Sequence, residues 1–241
     1  GFDPEYVGED DIEQRLIGAG VQLVGLMHEL VEQRLANPAD DLTSSLIHND
    51  LGEDLLTPDE VASFFILLAV AGNDTTRTAI SHGMNLLGQH PEQRKIWQDD
   101  VAGVTDSAVE EIVRMASPVT FMRRTATGDH VVSGHEFAEG DRVVMFYGAA
   151  NRDPRQFTDP EQFDVRRDPN PQLGFGGPGP HFCLGAHLAR RELSVAFRQI
   201  FARSPDIEVV GDAVPLESVG VPLVGGIKHR PVRFTPTAPV G

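Results

Sequence analysis

Cysteine is almost absent from the sequence, since Cys183 is the only one among 241 residues. A single cysteine excludes an internal disulfide framework and is typical of a reducing compartment, so we expect a cytoplasmic protein. Long apolar runs are absent too, because the longest, Phe64–Gly72, has nine residues and a membrane helix needs about 20. The acidic start of the chain shows no secretory signal. Its first residue is glycine, so we expect a processed or partial chain.

Positive charge is scarce, since 20 Lys and Arg stand against 36 Asp and Glu, for a formal net charge of −16. Nucleic-acid-binding surfaces are usually basic, so this balance argues against one. The deficit is concentrated in residues 1–60, which hold 15 acidic and 2 basic residues. Near the cysteine the sign reverses, because two acids there stand against six arginines: Arg166, Arg167, Arg190, Arg191, Arg198 and Arg203. This basic stretch is either an ordinary solvated face or a docking patch.

A long central helix has the clearest start signal in the chain. Thr57 and Glu60 form a capping box with Pro58 at the first helical position, and apolar residues then follow one helical face. Nothing stops this helix before Pro91, because proline disfavours helix in the residue that precedes it. At 1.5 Å per residue the helix would be about 45–50 Å long, so we expect it to cross the molecule.

The remaining patterns predict a mainly α chain with small β-sheets. Further helices are predicted at residues 9–36, Leu42–Ile47, Pro91–Asp99, from a cap at Asp106 or Ser107 to Met115, and Leu184–Ala202. Strands are predicted at Val119–Ala126, His130–Phe137, Arg142–Phe146, Ile207–Val210, Val221–Val224 and Val232–Phe234. Turns are predicted at Gly128-Asp129, Ser133-Gly134 and Glu139-Gly140. Residues 151–180 are rich in Pro, Asp and Gly with almost no regular period, which is typical of a functional loop.

Cys183 follows a glycine-rich segment and begins the last predicted helix. Four glycines before it allow the backbone to approach another group closely. The free N–H groups of a helix N-terminus favour a thiolate, the metal-binding form of cysteine. One cysteine cannot build a zinc site, which needs three or four ligands, but it can be the single protein ligand of a haem iron. The alternative is a buried structural cysteine behind a flexible loop.

Ala71–Thr76, with the sequence AGNDTT, places polar residues in the middle of the long helix. Gly72 costs a helix about 1 kcal/mol relative to alanine, and Asp74 and Thr75 are poor helix formers. One explanation is a helix distorted to open a polar notch beside a ligand. The other is that Thr75 bonds back to the preceding turn while Asp74 points to solvent.

Glu111 and Arg114 share one face of a later helix, where such a pair alone is usually a surface ion pair. Together, however, the three patterns and their order resemble the cytochrome P-450 family. Phe163–Arg167 (FDVRR) is also similar to the segment that precedes the haem loop in that family. The resemblance covers essentially the whole chain and implies a single domain over residues 1–241. This domain would be the C-terminal part of the P-450 fold, mainly α with small β-sheets, with a long central helix, a cysteine-ligand loop and a haem-flanking helix.

The resemblance implies haem b, iron protoporphyrin IX, as the cofactor and Cys183 as the axial ligand of its iron. Asp74 and Thr75 would be catalytic, because Thr75 would hydrogen-bond dioxygen and Asp74 would relay protons through water. Two side chains would bind the haem propionates, Arg124 and His181. Further cofactor contacts would come from Ala71, Gly72, Phe175 and Gly185.

A structural network is also implied by the resemblance. Glu111 and Arg114 would hold the cysteine loop together with Arg167, or alternatively with Arg155. The walls of a substrate pocket would include Val70, Ala71, Val119, Phe121 and Val219–Val224, and such an apolar lining suits a lipid or a terpenoid.

The implied function is a haem-dependent monooxygenase that activates O2 and hydroxylates a C–H bond of a lipid, sterol or terpenoid. No flavin or nucleotide fingerprint is present, so electrons would come from a ferredoxin and its reductase. The basic stretch near Cys183 suits an acidic ferredoxin.

Two departures from the family pattern matter. Phe175 lies eight residues before Cys183 rather than the common seven, which is similar to actinobacterial members that hydroxylate methyl-branched lipids and sterol side chains. The N-terminal helices and first strands of the family are missing from the chain. The alternative is therefore a truncated, non-catalytic chain that binds haem weakly or not at all.

Overall fold

The computed structural model describes residues 12–48, 56–216 and 222–237. It contains two compact units, Gly1–Asn73 and Asp74–Gly241. Its helices are α1 Ile12–Ala36, α2 Leu42–His48, α3 Pro58–Gln89, α4 Pro91–Asp99, α5 Val101–Ala116, α6 Tyr147–Ala150 and α7 Ala186–Arg203. Its strands are β1 Phe121–Thr125, β2 His130–Val132, β3 His135–Phe137, β4 Arg142–Phe146, β5 Glu208–Val209, β6 Val214–Pro215, β7 Ile227–His229 and β8 Val232–Arg233. The predicted mainly α chain with small sheets is confirmed.

The capping box at the start of α3 is formed as predicted. The Glu60 carboxylate accepts from the Thr57 backbone N–H at 2.8 Å, and the Thr57 hydroxyl accepts from the Glu60 backbone N–H at 3.3 Å. These bonds satisfy donors that a helix start leaves open. The Thr57 backbone N–H, together with the Thr57 hydroxyl, donates to the Glu60 carboxylate and lowers its pKa. The helix then runs for 32 residues to Gln89, just before Pro91.

The first unit has a small core around α1, α2 and the start of α3. Its buried members are Met27, Val31, Ile47, Val61 and Ala62. The side chain of Arg34 binds Asp41, and the Asp41 carboxylate accepts from the backbone N–H of Ser44 at 2.8 Å. These bonds lower the pKa of Asp41 and fix the turn between α1 and α2.

The second unit has a larger core, where α5 and α7 pack together. Trp97 lies at its centre, with its ring centroid 5.0 Å from that of Phe197 and 5.1 Å from that of Phe201. The indole N–H donates to the Thr105 hydroxyl at 3.0 Å, so the one polar atom of this side chain is satisfied. Gly83 faces the same core, since a Cβ there would lie 2.5 Å from the Phe197 ring.

All four sheets of the described residues are two-stranded and antiparallel. β1 pairs with β4, β2 with β3, β5 with β8, and β6 with β7. The turn predicted at Ser133-Gly134 is confirmed: His130–Phe137 forms a hairpin in which both turn residues have positive φ (52° and 80°), as a tight two-residue turn requires.

Several predicted boundaries were wrong. The cap predicted at Asp106 or Ser107 lies at Asp100, whose carboxylate accepts from the Gly103 N–H at 2.9 Å, so α5 begins earlier. Residue 221 of the predicted strand Val221–Val224 lies outside the described residues, and Val224 forms a single bridge with Val119. Three short elements, α6, β6 and β7, have no counterpart among the predicted helices and strands. No helix in the described part of the chain is both long and apolar enough to cross a bilayer.

Candidate functional site

Cys183 is exposed and not in a disulfide, and it lies two residues before Gly185, the N-cap of α7. Its backbone N–H donates to the carbonyl oxygen of Phe175 at 2.9 Å, and its own carbonyl accepts from the Ala186 N–H at 3.2 Å. The loop therefore folds back on itself between Phe175 and Cys183. Its exposure in the described part of the chain argues against the alternative of a buried structural cysteine.

Glycine is required at particular points of this loop. Gly176 and Gly179 have φ values of 88° and 132°, which L side chains rarely adopt. A Cβ on Gly174 would lie 2.6 Å from the Val113 side chain, so the loop lies directly against α5. A Cβ on Gly177 or Gly185 would have no neighbour within 4 Å, so both positions face open space.

The surroundings of Cys183 fit a flat apolar group held by one sulfur. Phe182 and Leu184 flank it with exposed apolar side chains, and the glycines leave room beside them. Among the described residues, no three His, Cys, Asp or Glu side chains converge to form a metal cluster. Haem with a single cysteine ligand is consistent with these observations.

Glu111 and Arg114 form a fully buried ion pair in α5. Arg114 donates from Nε to Glu111 Oε2 at 2.7 Å and from Nη2 to Oε1 at 2.8 Å. Such a two-bond pair compensates the cost of burying both charges. Glu111 also accepts from the Asp164 N–H, the Asn170 amide and Arg167 Nε, at 3.0, 3.0 and 3.2 Å.

Backbone carbonyls of the 151–180 segment satisfy the remaining donors of this network. Arg114 donates to the carbonyls of Asn151, Pro160 and Gln162, at 2.6–2.9 Å. Arg167 donates to the carbonyls of Thr158, Asp159 and Gln162, at 2.8–3.1 Å. The structure thus brings Glu111, Arg114 and Arg167 together, and these three side chains hold an irregular segment in place.

Arg155 lies outside this network. Its guanidinium instead binds Asp153, with Nε 2.9 Å from Oδ1. The same hydrogen bonds lower the pKa of Asp153 to about 2 and raise the pKa of Arg155. Between the two arginines named in the sequence analysis, the structure therefore selects Arg167.

Asn151 is a buried link that the sequence analysis missed. Its side-chain oxygen accepts from the Leu173 N–H at 2.7 Å, and its amide nitrogen donates to the Ser117 hydroxyl at 2.9 Å. It therefore joins the end of α5 to the residue that precedes the glycine-rich loop. An asparagine in a segment rich in Pro, Asp and Gly is usually a turn residue, so the sequence carries no signal for this role.

The Ala71–Thr76 motif is helical throughout and lies within α3, so the helix is not broken at the motif. The boundary between the two units falls inside it, after Asn73. Asp74 accepts from Arg77 Nη2 at 3.0 Å, in a largely exposed pair. Gly72 has no neighbour within 4 Å of a Cβ position, and Val70 is exposed.

Three of the remaining predicted site residues, Val119, Phe121 and Arg124, lie on or next to β1, and His181 lies in the glycine-rich loop. Val119 is half-buried and bridges Val224, and the Phe121 ring lies 6.1 Å from the Phe146 ring. Arg124 and His181 are exposed. Among the described residues, no hydrogen bond joins the side chain of Arg124 or of His181 to Cys183.

Comparison with known sequences gives a family match over most of the chain. The profile of the family described as "Cytochrome P450" matches residues 11–203. Methyl-branched lipid omega-hydroxylase of Mycobacterium tuberculosis is 50% identical over 206 residues, which is 86% of this chain and 47% of the relative. Steroid C26-monooxygenase of Rhodococcus jostii is 43% identical over 216 residues, covering 89% and 45%. The chain spans about half the length of the curated relatives it matches.

Comparison with solved structures also finds similarity to cytochromes P450. A cytochrome P450 of Mycobacterium marinum in complex with pseudoionone superposes with a TM-score of 0.88 and 41% identity, over 96% of this chain and 55% of that one. CYP109E1 of Bacillus megaterium in complex with testosterone superposes with a TM-score of 0.86 and 32% identity, over 92% and 61%.

Proposed function

This chain belongs to the cytochrome P450 family, and we propose that it binds haem b through Cys183 and acts in the hydroxylation of a hydrophobic substrate, as a monooxygenase. The observation that carries the proposal is the exposed cysteine, set two residues before the N-cap of α7 in a loop with glycines at positive φ. Buried charges of the second unit hold the irregular segment that leads into this loop.

Cys183 is the proposed axial ligand, and Phe175, Gly185, Ala71 and Gly72 are proposed to lie against the cofactor. Arg124 and His181 are proposed to bind its propionates by charge-assisted hydrogen bonds. Bound haem would supply the activation of dioxygen and the transfer of one oxygen atom to a C–H bond.

Asp74 and Thr75 are the proposed proton-handling pair. Asp74 is half-buried and bound to Arg77, so its carboxylate is both anchored and open to solvent protons. Thr75, one residue further into the helix, would donate a hydrogen bond to dioxygen from its hydroxyl. A positioned acid and a positioned hydroxyl together provide general acid–base assistance.

The proposed substrate is a lipid or a steroid, oxidised at a C–H bond. The names of the methyl-branched lipid and steroid relatives support this class. The proposed apolar walls are Val70, Ala71, Val119, Phe121 and Val219–Val224, of which residues 219–221 lie outside the described residues. Such linings bind hydrophobic molecules.

The proposed electron donor is an acidic ferredoxin, and the proposed location of both proteins is the cytoplasm. Two arginines of the basic stretch have internal partners, since Arg167 binds Glu111 and Arg190 binds Glu110. Arg166, Arg191, Arg198 and Arg203 are exposed and form the proposed docking surface. Because charge complementarity mainly accelerates association, replacing Arg191 and Arg198 with Glu should slow reduction and weaken its salt dependence.

Carbon-monoxide difference spectroscopy tests the proposed cofactor site. The purified chain is mixed with haem, reduced and exposed to carbon monoxide, alongside Cys183→Ser. We expect the wild-type chain to give the absorbance band typical of thiolate ligation and the variant to lack it. A wild-type chain without haem absorbance would support a non-catalytic chain, and an identical band in the variant would exclude Cys183 as the ligand.

A further inference from the structure

Two adjacent glutamates of α5 belong to different networks. Glu111 is fully buried and binds Arg114 and Arg167, as described above. Glu110 is about a quarter exposed and binds Arg190 of α7 instead. The family pattern in the sequence includes Glu111 but gives Glu110 no role, so its contacts need a separate explanation.

The Glu110 carboxylate joins α7 to the beginning of the glycine-rich loop. Oε2 accepts from Arg190 Nη2 at 3.1 Å and from the Gln172 side-chain amide at 2.9 Å. The Gln172 side-chain oxygen in turn accepts from the Gly174 backbone N–H. One carboxylate therefore fixes both an arginine of the helix after the cysteine and the chain that enters the loop.

Arg190 continues this connection to the cysteine. Its guanidinium carbon lies 4.3 Å from the centroid of the Phe175 ring, which is a cation–π contact. The Phe175 carbonyl accepts the hydrogen bond from the Cys183 backbone N–H. The planar guanidinium is thus held by a carboxylate on one side and packs on the ring of the residue that anchors Cys183.

We propose that Glu110 and Arg190 are positioning residues for Cys183. They fix the Phe175 ring, and through the Phe175 carbonyl they fix the backbone of Cys183 and the place of its sulfur. The functional meaning of this positioning rests on the proposed role of Cys183 as a haem ligand. The positioning itself is a property of this chain and is measured without the cofactor.

Hydrogen exchange of the Cys183 backbone amide, followed by NMR on the 241-residue chain, tests the proposal. Glu110→Gln removes the charge of the carboxylate, and Arg190→Lys keeps the charge but removes the planar fork. Exchange at Cys183 should become about three- to tenfold faster in each variant, because local opening becomes easier. Exchange at Ile112 and Leu193, in the helices on either side, should not change.

Arg191→Lys is the matched control, because the same chemical change is made one residue further along α7 at an exposed position. It should leave exchange at Cys183 unchanged. Equal acceleration at Cys183, Ile112 and Leu193 would show a merely structural role and overturn the proposal. An unchanged Cys183 amide in both Glu110 and Arg190 variants would overturn it as well.

Phe175→Leu tests the contact between the Arg190 guanidinium and the Phe175 ring from the side of the ring. If Arg190 acts through the ring, then Arg190→Lys added to Phe175→Leu should give no further acceleration at Cys183. If the effects of the two substitutions on exchange at Cys183 were fully additive, this would contradict a connection from Arg190 through the Phe175 ring.

A spectroscopic readout separates this inference from the proposed function. In the haem-loaded, reduced and carbon-monoxide-bound chain, Glu110→Gln and Arg190→Lys should lower the fraction of haem that gives the thiolate-type band. A wild-type chain that takes up no haem would contradict the proposed function, and the exchange measurements would still decide the positioning role.

Discussion

The cysteine loop and the Ala71–Thr76 motif are built in different ways. The segment that leads into the loop is held by residues distant in sequence, since Glu111 accepts from the Asp164 N–H and Asn151 accepts from the Leu173 N–H. The motif lies in an uninterrupted helix, where Asp74 pairs with Arg77 only three residues away. The segment that leads into the loop of Cys183 therefore depends on tertiary contacts, whereas the Ala71–Thr76 motif keeps its shape through local helical bonds.

The largest difference in the free energy of unfolding is expected when one arginine is removed from the buried network before the loop and one from the helix that carries the motif. Arg114→Met leaves the buried Glu111 carboxylate without its partner, so the free energy of unfolding should fall by about 3–5 kcal/mol. Arg77→Met breaks the exposed pair with Asp74 and should change it by less than about 0.5 kcal/mol. Denaturant unfolding followed by circular dichroism measures both, and equal losses would remove the distinction between the regions.

Adding a methyl group to a glycine of each region should give effects of opposite sign. Gly174→Ala places a Cβ 2.6 Å from the Val113 side chain, so we expect a loss of about 1–3 kcal/mol. Gly72→Ala meets no atom within 4 Å, so the better helix propensity of alanine should stabilise the chain by up to about 1 kcal/mol. Thermal unfolding compares the two variants. A destabilising Gly72→Ala would show that the motif has close neighbours.

Thr75→Ala tests the proposed functional role of the Ala71–Thr76 motif. Loss of the hydroxyl should leave the fold intact but raise the peroxide released per hydroxylated product about tenfold, equivalent to about 1.4 kcal/mol. Thr76→Ala, the same change at the next residue, is the control. Equal peroxide yields in the wild type and the Thr75 variant would remove Thr75 from the proposed proton path.

The smallest effect is expected at the pair Asp153–Arg155, in which the arginine is exposed and the aspartate is partly buried. Hydrogen bonds from Arg155 lower the pKa of Asp153 to about 2. A carboxylate whose pKa is lower in the folded state stabilises the fold above about pH 4, and this contribution is lost as the pH falls towards 2. Asp153→Asn should therefore flatten the dependence of the unfolding free energy on pH in that window. The same slope in both proteins would show that this pair contributes nothing.

Local signals in the sequence predicted the helix boundaries best. Thr57 and Glu60 cap α3, and Pro91 starts α4, because caps and prolines act within one turn of the chain. The start of α5 was missed for a local reason as well. Asp100 ends α4 and caps α5 at the same time, so the two helices have no separating loop that the pattern could reveal.

The site was predicted less completely, because long-range contacts complete it. The spacing of Glu111 and Arg114 is visible in the sequence, but the choice of Arg167 over Arg155 depends on how the irregular segment folds. The role of Glu110 and Arg190 depends on α5 and α7 packing together, which no local pattern contains.

The most direct test of the account is whether the sulfur of Cys183 bonds the haem iron. Iron K-edge X-ray absorption of the haem-loaded chain, compared with Cys183→Ser, measures this bond. We predict a sulfur atom in the first coordination shell of the wild-type iron and its loss in the variant. A first shell of nitrogen and oxygen alone in the wild type, or a sulfur that persists in the variant, would contradict the account.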